Sequence, residues 1–288
     1  MTYKIMIGHK EIEKSFRKLV KEDGLSHGYI FYGEPQVGKF LFARHLANLI
    51  EKNEFAAPEH LLSETLLIEP TKGESAEASI GIDAIRDLKN FLYQSPQASK
   101  YRIAIINDAH LMTDQAQNAI LKIAEEPPAH AIIILVVSNL ESLMRTVLSR
   151  FQKIHFGNIS KAEIKDLLVK EFKMESAEAD KIAQISFGRP GRAVDLTQND
   201  KFIGIRGEVV DFLNNRTPQK DLVAELADIE NRDKIEPFLG EIIAELSTDI
   251  RKNYLVLKSI IHRLSMLKEW NTNKRLQLES ALNKVGRF

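Results

Sequence analysis

At 288 residues with 44% apolar side chains, the chain can bury the core of one large domain plus one or two smaller ones. Its 40 basic and 40 acidic residues cancel, so no overall field draws it to nucleic acid, and any contact with DNA must be local or shared with partners. The absence of cysteine excludes a disulfide framework, a thiolate zinc site and a cysteine nucleophile.

Met1 to Lys10 mixes charged and apolar residues and has no signal-peptide core, and no apolar run approaches the roughly 20 residues that span a bilayer. The expectation is a soluble, cytoplasmic chain without membrane contact. Gly28–Tyr32 reads as a buried strand and Lys39–Glu51 as the helix after it. Pro58–Glu64 and Thr71–Ser79 are polar and predict surface loops, with Leu66–Ile68 a weaker strand between them. Ile82, Ile85, Leu88 and Leu92 share a helical face. Strand Ile103–Ile106, helix Thr113–Glu125 closed by Pro127 and Pro128, and strand Ala131–Ser138 follow. Ile132–Val137 is uniformly apolar and rich in β-branched residues, as an interior parallel strand should be. This alternation predicts an α/β domain, a parallel sheet flanked by helices. At Ser160 the character changes: Ser160 and Glu163 form a capping box, and the rest to Phe288 is helical. Thr217-Pro218 signals another helix start, with the proline at the first helical position. The boundaries fall at 1–157, 158–202 and 203–288.

Gly33-Glu34-Pro35-Gln36-Val37-Gly38-Lys39-Phe40 lies between strand and helix, where a P-loop cradles phosphate on backbone amides and a lysine. Its last position requires a Ser or Thr hydroxyl for Mg²⁺, and Phe40 has none. Ile103–Ile106 followed by Asn107-Asp108 has the form of a Walker B strand, but its first acidic position is an amide. A divergent working ATPase and a vestigial one are both open. Two concordant losses of metal contacts favour the vestigial site.

Four segments in order over about residues 1–200 carry a resemblance. Leu25–Phe31 is similar to an LSHAYLF opening. Gln117–Pro128 resembles NALLKxLEEPP, with Ala124 where leucine is usual. Leu143–Gln152 resembles LLxTIxSRCQ, with Phe151 replacing cysteine. Ser186–Ala193 resembles a GSPGRA sensor 2 turn. Together they look like bacterial clamp-loader subunits of the AAA+ class. The resemblance implies an AAA+ P-loop (RecA-like) domain over 1–157, a helical lid over 158–202 and a helical collar for oligomerisation over 203–288. It also implies a DNA polymerase III accessory role in DNA replication. The loss of catalytic positions looks like the delta-prime kind, a non-hydrolysing subunit that completes a ring. The small cysteine module usual after the P-loop helix is missing from Glu51–His60. The implied partners are gamma/tau-type and delta-type subunits, the sliding clamp, and primer-template DNA through the assembled complex. ATP-Mg would be bound by the partners, with no cofactor required here. A hydrolysing gamma/tau-like subunit, or another AAA+ ATPase, is the alternative. A free DNA-binding protein is disfavoured by neutral charge and the lack of a basic helix or aromatic-basic platform.

On this resemblance Arg150, in Ser149-Arg150, reaches the γ-phosphate held by a neighbour; the plain alternative is a surface arginine paired with a carboxylate. Gly33, Gly38, Lys39, Ser138 (sensor 1) and Arg192 (sensor 2) form a vestigial nucleotide site, in which a structural role for Arg192 is at least as good a reading. No metal site is expected: His27, His110 and His155 are dispersed and read as packing residues. Glu125 and Glu126 diverge by roughly 100° on a helix and cannot face one substrate atom. Their expected value is to end the helix and offer an interface edge.

Overall fold

A computed structural model describes residues 5–72, 78–198, 200–227, 234–269 and 274–285. The chain divides into two compact units, 1–167 with 188–191, and 168–187 with 192–288.

The first unit is built on five parallel strands in the order β2-β5-β6-β1-β7. They are β1 (Gly28–Tyr32), β2 (Thr65–Ile68), β5 (Arg102–Ile106), β6 (Ala131–Val137) and β7 (Gln152–His155). Strand side chains alternate between faces, so central β6 supplies two cores. Ile132, Ile134 and Val136 join Phe16, Phe31 and Phe42 on the side of α1 (Lys10–Lys21) and α2 (Lys39–Lys52). Ile133, Leu135 and Val137 join Ile85, Leu88, Ile120 and Ile123 on the side of α3 (Ile82–Leu92) and α4 (Asp114–Glu125). All seven β6 side chains are buried, as its apolar run predicts.

Several boundaries move. Thr113 is the N-cap of α4, its hydroxyl accepting from Ala116 N at 3.2 Å. The 71–79 segment is only partly a loop: Thr71–Lys72 (β3) pairs antiparallel with Ala78–Ser79 (β4), and 73–77 lies outside the described residues. β7 and α1 carry no strong sequence signal. Among the described residues β7 pairs with β1 alone, and its side chains are largely exposed, so it shows no apolar run. α1 starts from His9 in a left-handed conformation without a side-chain cap. The short helix α5 (Arg145–Leu148) leads into Arg150.

At the capping box, Glu163 N donates to Ser160 Oγ at 3.2 Å, and the Ser160 hydroxyl itself donates to Glu163 Oε2 at 2.7 Å. The carboxylate thus takes the hydroxyl proton, whereas a capping box has it accept from a backbone amide. This box opens α6 (Lys161–Phe172).

The second unit is helical among its described residues: α7 (Ser176–Ile185), α8 (Pro190–Gln198, from Arg192 on), α9 (Asp200–Leu213), α10 (Gln219–Ala227), α11 (Ile235–Leu246), α12 (Ile250–Glu269) and α13 (Lys274–Val285). Helix α10 begins one residue later than the sequence implies. Pro218 precedes it, its carbonyl accepting from Asp221 and Leu222 N, both at 3.2 Å. Phe212, Leu222, Phe238, Leu239, Ile242, Ile260, Leu278 and Leu282 form one core. Ile250, Tyr254, Leu255 and Ile261 on α12 remain exposed. Among the described residues no helix is long and apolar enough to cross a membrane.

Candidate functional site

The carboxyl ends of parallel strands form a common edge, where ligands of open α/β sheets bind. Tyr32 pairs with Val137, so Gly33 and Ser138 leave the sheet side by side. Asn107 and Asp108 leave the end of β5, the neighbour of β6.

The turn from Gly33 to Gly38 follows β1 and opens α2. Gly33 has φ 143, and a Cβ there would stand 2.2 Å from Phe156 O, so no other residue fits. Gly38 takes a left-handed conformation as the N-cap of α2, with Met6 lying against it. The Gln36 carbonyl accepts from Gly191 N at 3.0 Å. His9 Nε2 lies 2.9 Å from Val37 O, and burial lowers the His9 pKa, which suits a neutral ring donating to that carbonyl.

Lys39 decides the character of this loop. Its side chain is buried, and Nζ donates to Gly33 O at 2.7 Å and to Glu34 O at 2.6 Å. Burial lowers its pKa to about 8, against the opposing pull of Asp108 and Glu34. The ammonium is thus held by the loop's own carbonyls. Phe40 packs against the α1/α2 core, with the Arg44 guanidinium 6.0 Å from its ring centre. Asn107 Nδ2 donates to Asp108 Oδ2 at 3.2 Å, and Asp108 has φ 49.

Arg192 makes a different contact. In the second unit its Nη2 meets Glu241 Oε1 on α11 at 2.5 Å, and its Nε donates to Ile185 O at 3.2 Å. The Glu241 side chain is only 1% exposed, which makes this a buried ion pair.

Arg150 follows α5 in the first unit. Its Nη2 donates to Glu125 Oε1 at 2.6 Å and its Nη1 to Thr146 O at 3.0 Å. The contact with Glu125 is the surface arginine–carboxylate pair that the sequence leaves open for Arg150, whereas Glu241 carries no sequence signal as a partner of Arg192. Each lies far along the chain from its arginine, where periodicity carries no signal. Glu125 lies within the Gln117–Pro128 segment, so its charge is legible in the sequence while its pairing is not. Among the described residues no group of three His, Asp or Glu could hold a metal ion.

Residues 8–160, more than half of the chain, match the family model described as DNA polymerase III, delta subunit. The chain belongs to this family. It is 27% identical over 223 residues to DNA polymerase III subunit tau of Bacillus subtilis, covering 71% of this chain and 38% of that protein. It is 28% identical over 259 residues to DNA polymerase III subunit gamma/tau of Mycoplasma pneumoniae, covering 86% and 36%. The chain therefore spans less than two fifths of the length of these relatives. A structure of a Thermotoga maritima RuvB mutant aligns over 94% of this chain and 88% of its own, with 15% identity and a TM-score of 0.53. That likeness concerns the fold alone, a five-stranded parallel sheet flanked by helices.

Proposed function

We propose that the chain is a non-hydrolysing, delta-prime-type subunit of the DNA polymerase III sliding-clamp loader. In this reading it completes the loader ring and donates Arg150 to an ATP site of a neighbouring subunit during DNA replication. The observation that carries the reading is the departure at both metal-facing positions, with Phe40 packed on the α1/α2 core and Asn107 Nδ2 donating to Asp108 Oδ2. Phe40 offers no hydroxyl and Asn107 no charge to a metal, so this donor set does not fit Mg²⁺-nucleotide. Arg192 is occupied by Glu241, which suits a structural role.

The reading keeps three parts: the AAA+ domain at 1–157, a lid at 158–202 and a collar at 203–288. Residues 199, 228–233, 270–273 and 286–288 of the last two lie outside the described residues. Its partners are gamma/tau-type and delta-type subunits, the sliding clamp, and primer-template DNA through the complex. These partners bind ATP-Mg, and the chain needs no cofactor of its own.

A second reading, a hydrolysing gamma/tau-like subunit, is favoured by the names of the relatives. One assay separates the two. The purified chain should hydrolyse Mg-ATP at background rate, equal to its Lys39→Ala variant. Turnover that Lys39→Ala abolishes would establish the gamma/tau-like reading instead.

A further inference from the structure

We propose that Glu125 is a positioning residue that parks Arg150 until a neighbour's phosphate takes it over; this rests on the trans role of Arg150 above. Phosphate is gripped by the fork of guanidinium nitrogens. Here both terminal nitrogens are committed, Nη2 to the Glu125 carboxylate and Nη1 to the Thr146 carbonyl, with Ser149 Oγ at 3.4 Å from Nη1. To present both terminal nitrogens to an anion outside its own chain, the arginine exchanges these partners.

The parked geometry is set by backbone. Arg150 N donates to Val147 O at 3.1 Å, which fixes the residue two positions past α5, and its side chain folds back on the α5 carbonyl of Thr146. Glu125 is the last residue of α4, and the prolines at 127 and 128 prevent that helix from continuing past it. The two side chains therefore lie within reach of each other.

The hold is weak by design of its surroundings. The side chains of Arg150 and Glu125 are 33% and 51% exposed, so water competes for both charges. An exposed pair of this kind favours its closed form by about fivefold at most. The reachable fraction of Arg150 falls by the same factor, and with it the apparent engagement of a neighbour's phosphate. A terminal phosphate carries more charge than one carboxylate and displaces it, while the freed Glu125 turns to solvent.

The test uses the loader reconstituted from this chain with gamma/tau-type and delta-type subunits of the same organism. DNA-stimulated ATP turnover is read at sub-saturating ATP for wild type, Glu125→Gln, Arg150→Ala and the double variant. Glu125→Gln keeps side-chain volume at an exposed position, and unchanged thermal unfolding of the chain shows that its fold is intact. The expected result is a rise of about two- to fivefold for Glu125→Gln, a fall for Arg150→Ala, and no rise when Glu125→Gln is added to Arg150→Ala. Unchanged or lower turnover in Glu125→Gln, or a rise that persists without Arg150, overturns parking and leaves the trans role standing. Wild-type turnover in Arg150→Ala overturns the trans role itself.

Discussion

Replacing Arg192 separates a structural arginine from a nucleotide sensor. Its guanidinium meets Glu241 at 2.5 Å, with side-chain exposures of 13% and 1%, and it also bonds Ile185 O at 3.2 Å. Arg192→Met strips the nearby cation from a carboxylate that stays buried. Breaking a buried pair by removing one partner costs about 3–5 kcal/mol. The lost bond to Ile185 O adds about 1 kcal/mol. Arg192→Met should thus lower unfolding stability by about 4–6 kcal/mol. Arg192→Met with Glu241→Leu removes both charges and replaces them with apolar volume, so it should return to within about 2 kcal/mol of wild type. Urea unfolding by far-UV circular dichroism, with hydrogen exchange at α8 and α11 amides, measures both. A loss under about 1 kcal/mol in Arg192→Met, or a double variant that loses the sum of the two single effects, would refute a buried coupled pair.

Lys39 predicts a pH dependence. Its folded pKa is about 8 against an ordinary 10.5, so the unfolded chain binds the extra proton between these pH values. Stability therefore rises with pH through that window and is lost as pH falls back through 8. Relative to Lys39→Met, wild type should gain about 3 kcal/mol between pH 7 and 10.5, read from paired urea curves; a flat difference would show an unshifted lysine. On α12, Ile250, Tyr254 and Ile261 line a groove of about 600 Å³ and are each more than half exposed. Exposed apolar surface of this kind marks a contact face. Tyr254→Glu with Ile261→Glu should change stability by no more than about 1 kcal/mol while weakening assembly with gamma/tau-type subunits at least tenfold by sedimentation; full-affinity assembly would remove this face from the collar proposal.

Much of the sheet was written in short local patterns. Gly28–Tyr32 is β1 with the bounds its sequence predicts, and the apolar run of β6 declares a strand buried on both faces. The spacing from Gly33 to Lys39 likewise places a phosphate-type turn between strand and helix, because the turn needs glycine where φ is positive. β7 was not legible, since an edge strand with one neighbour needs no apolar alternation. Neither was α1, whose start at His9 lacks a capping side chain. The charged groups were decided in three dimensions. Nothing local says that Lys39 turns onto its own loop, that Arg192 pairs with a glutamate 49 positions away, or that Arg150 pairs with one 25 positions away. Periodicity reports which side chains leave water, because burial follows the repeat of the helix or strand. It is silent on which opposite charges meet, because that depends on chain segments brought together only after the cores have formed.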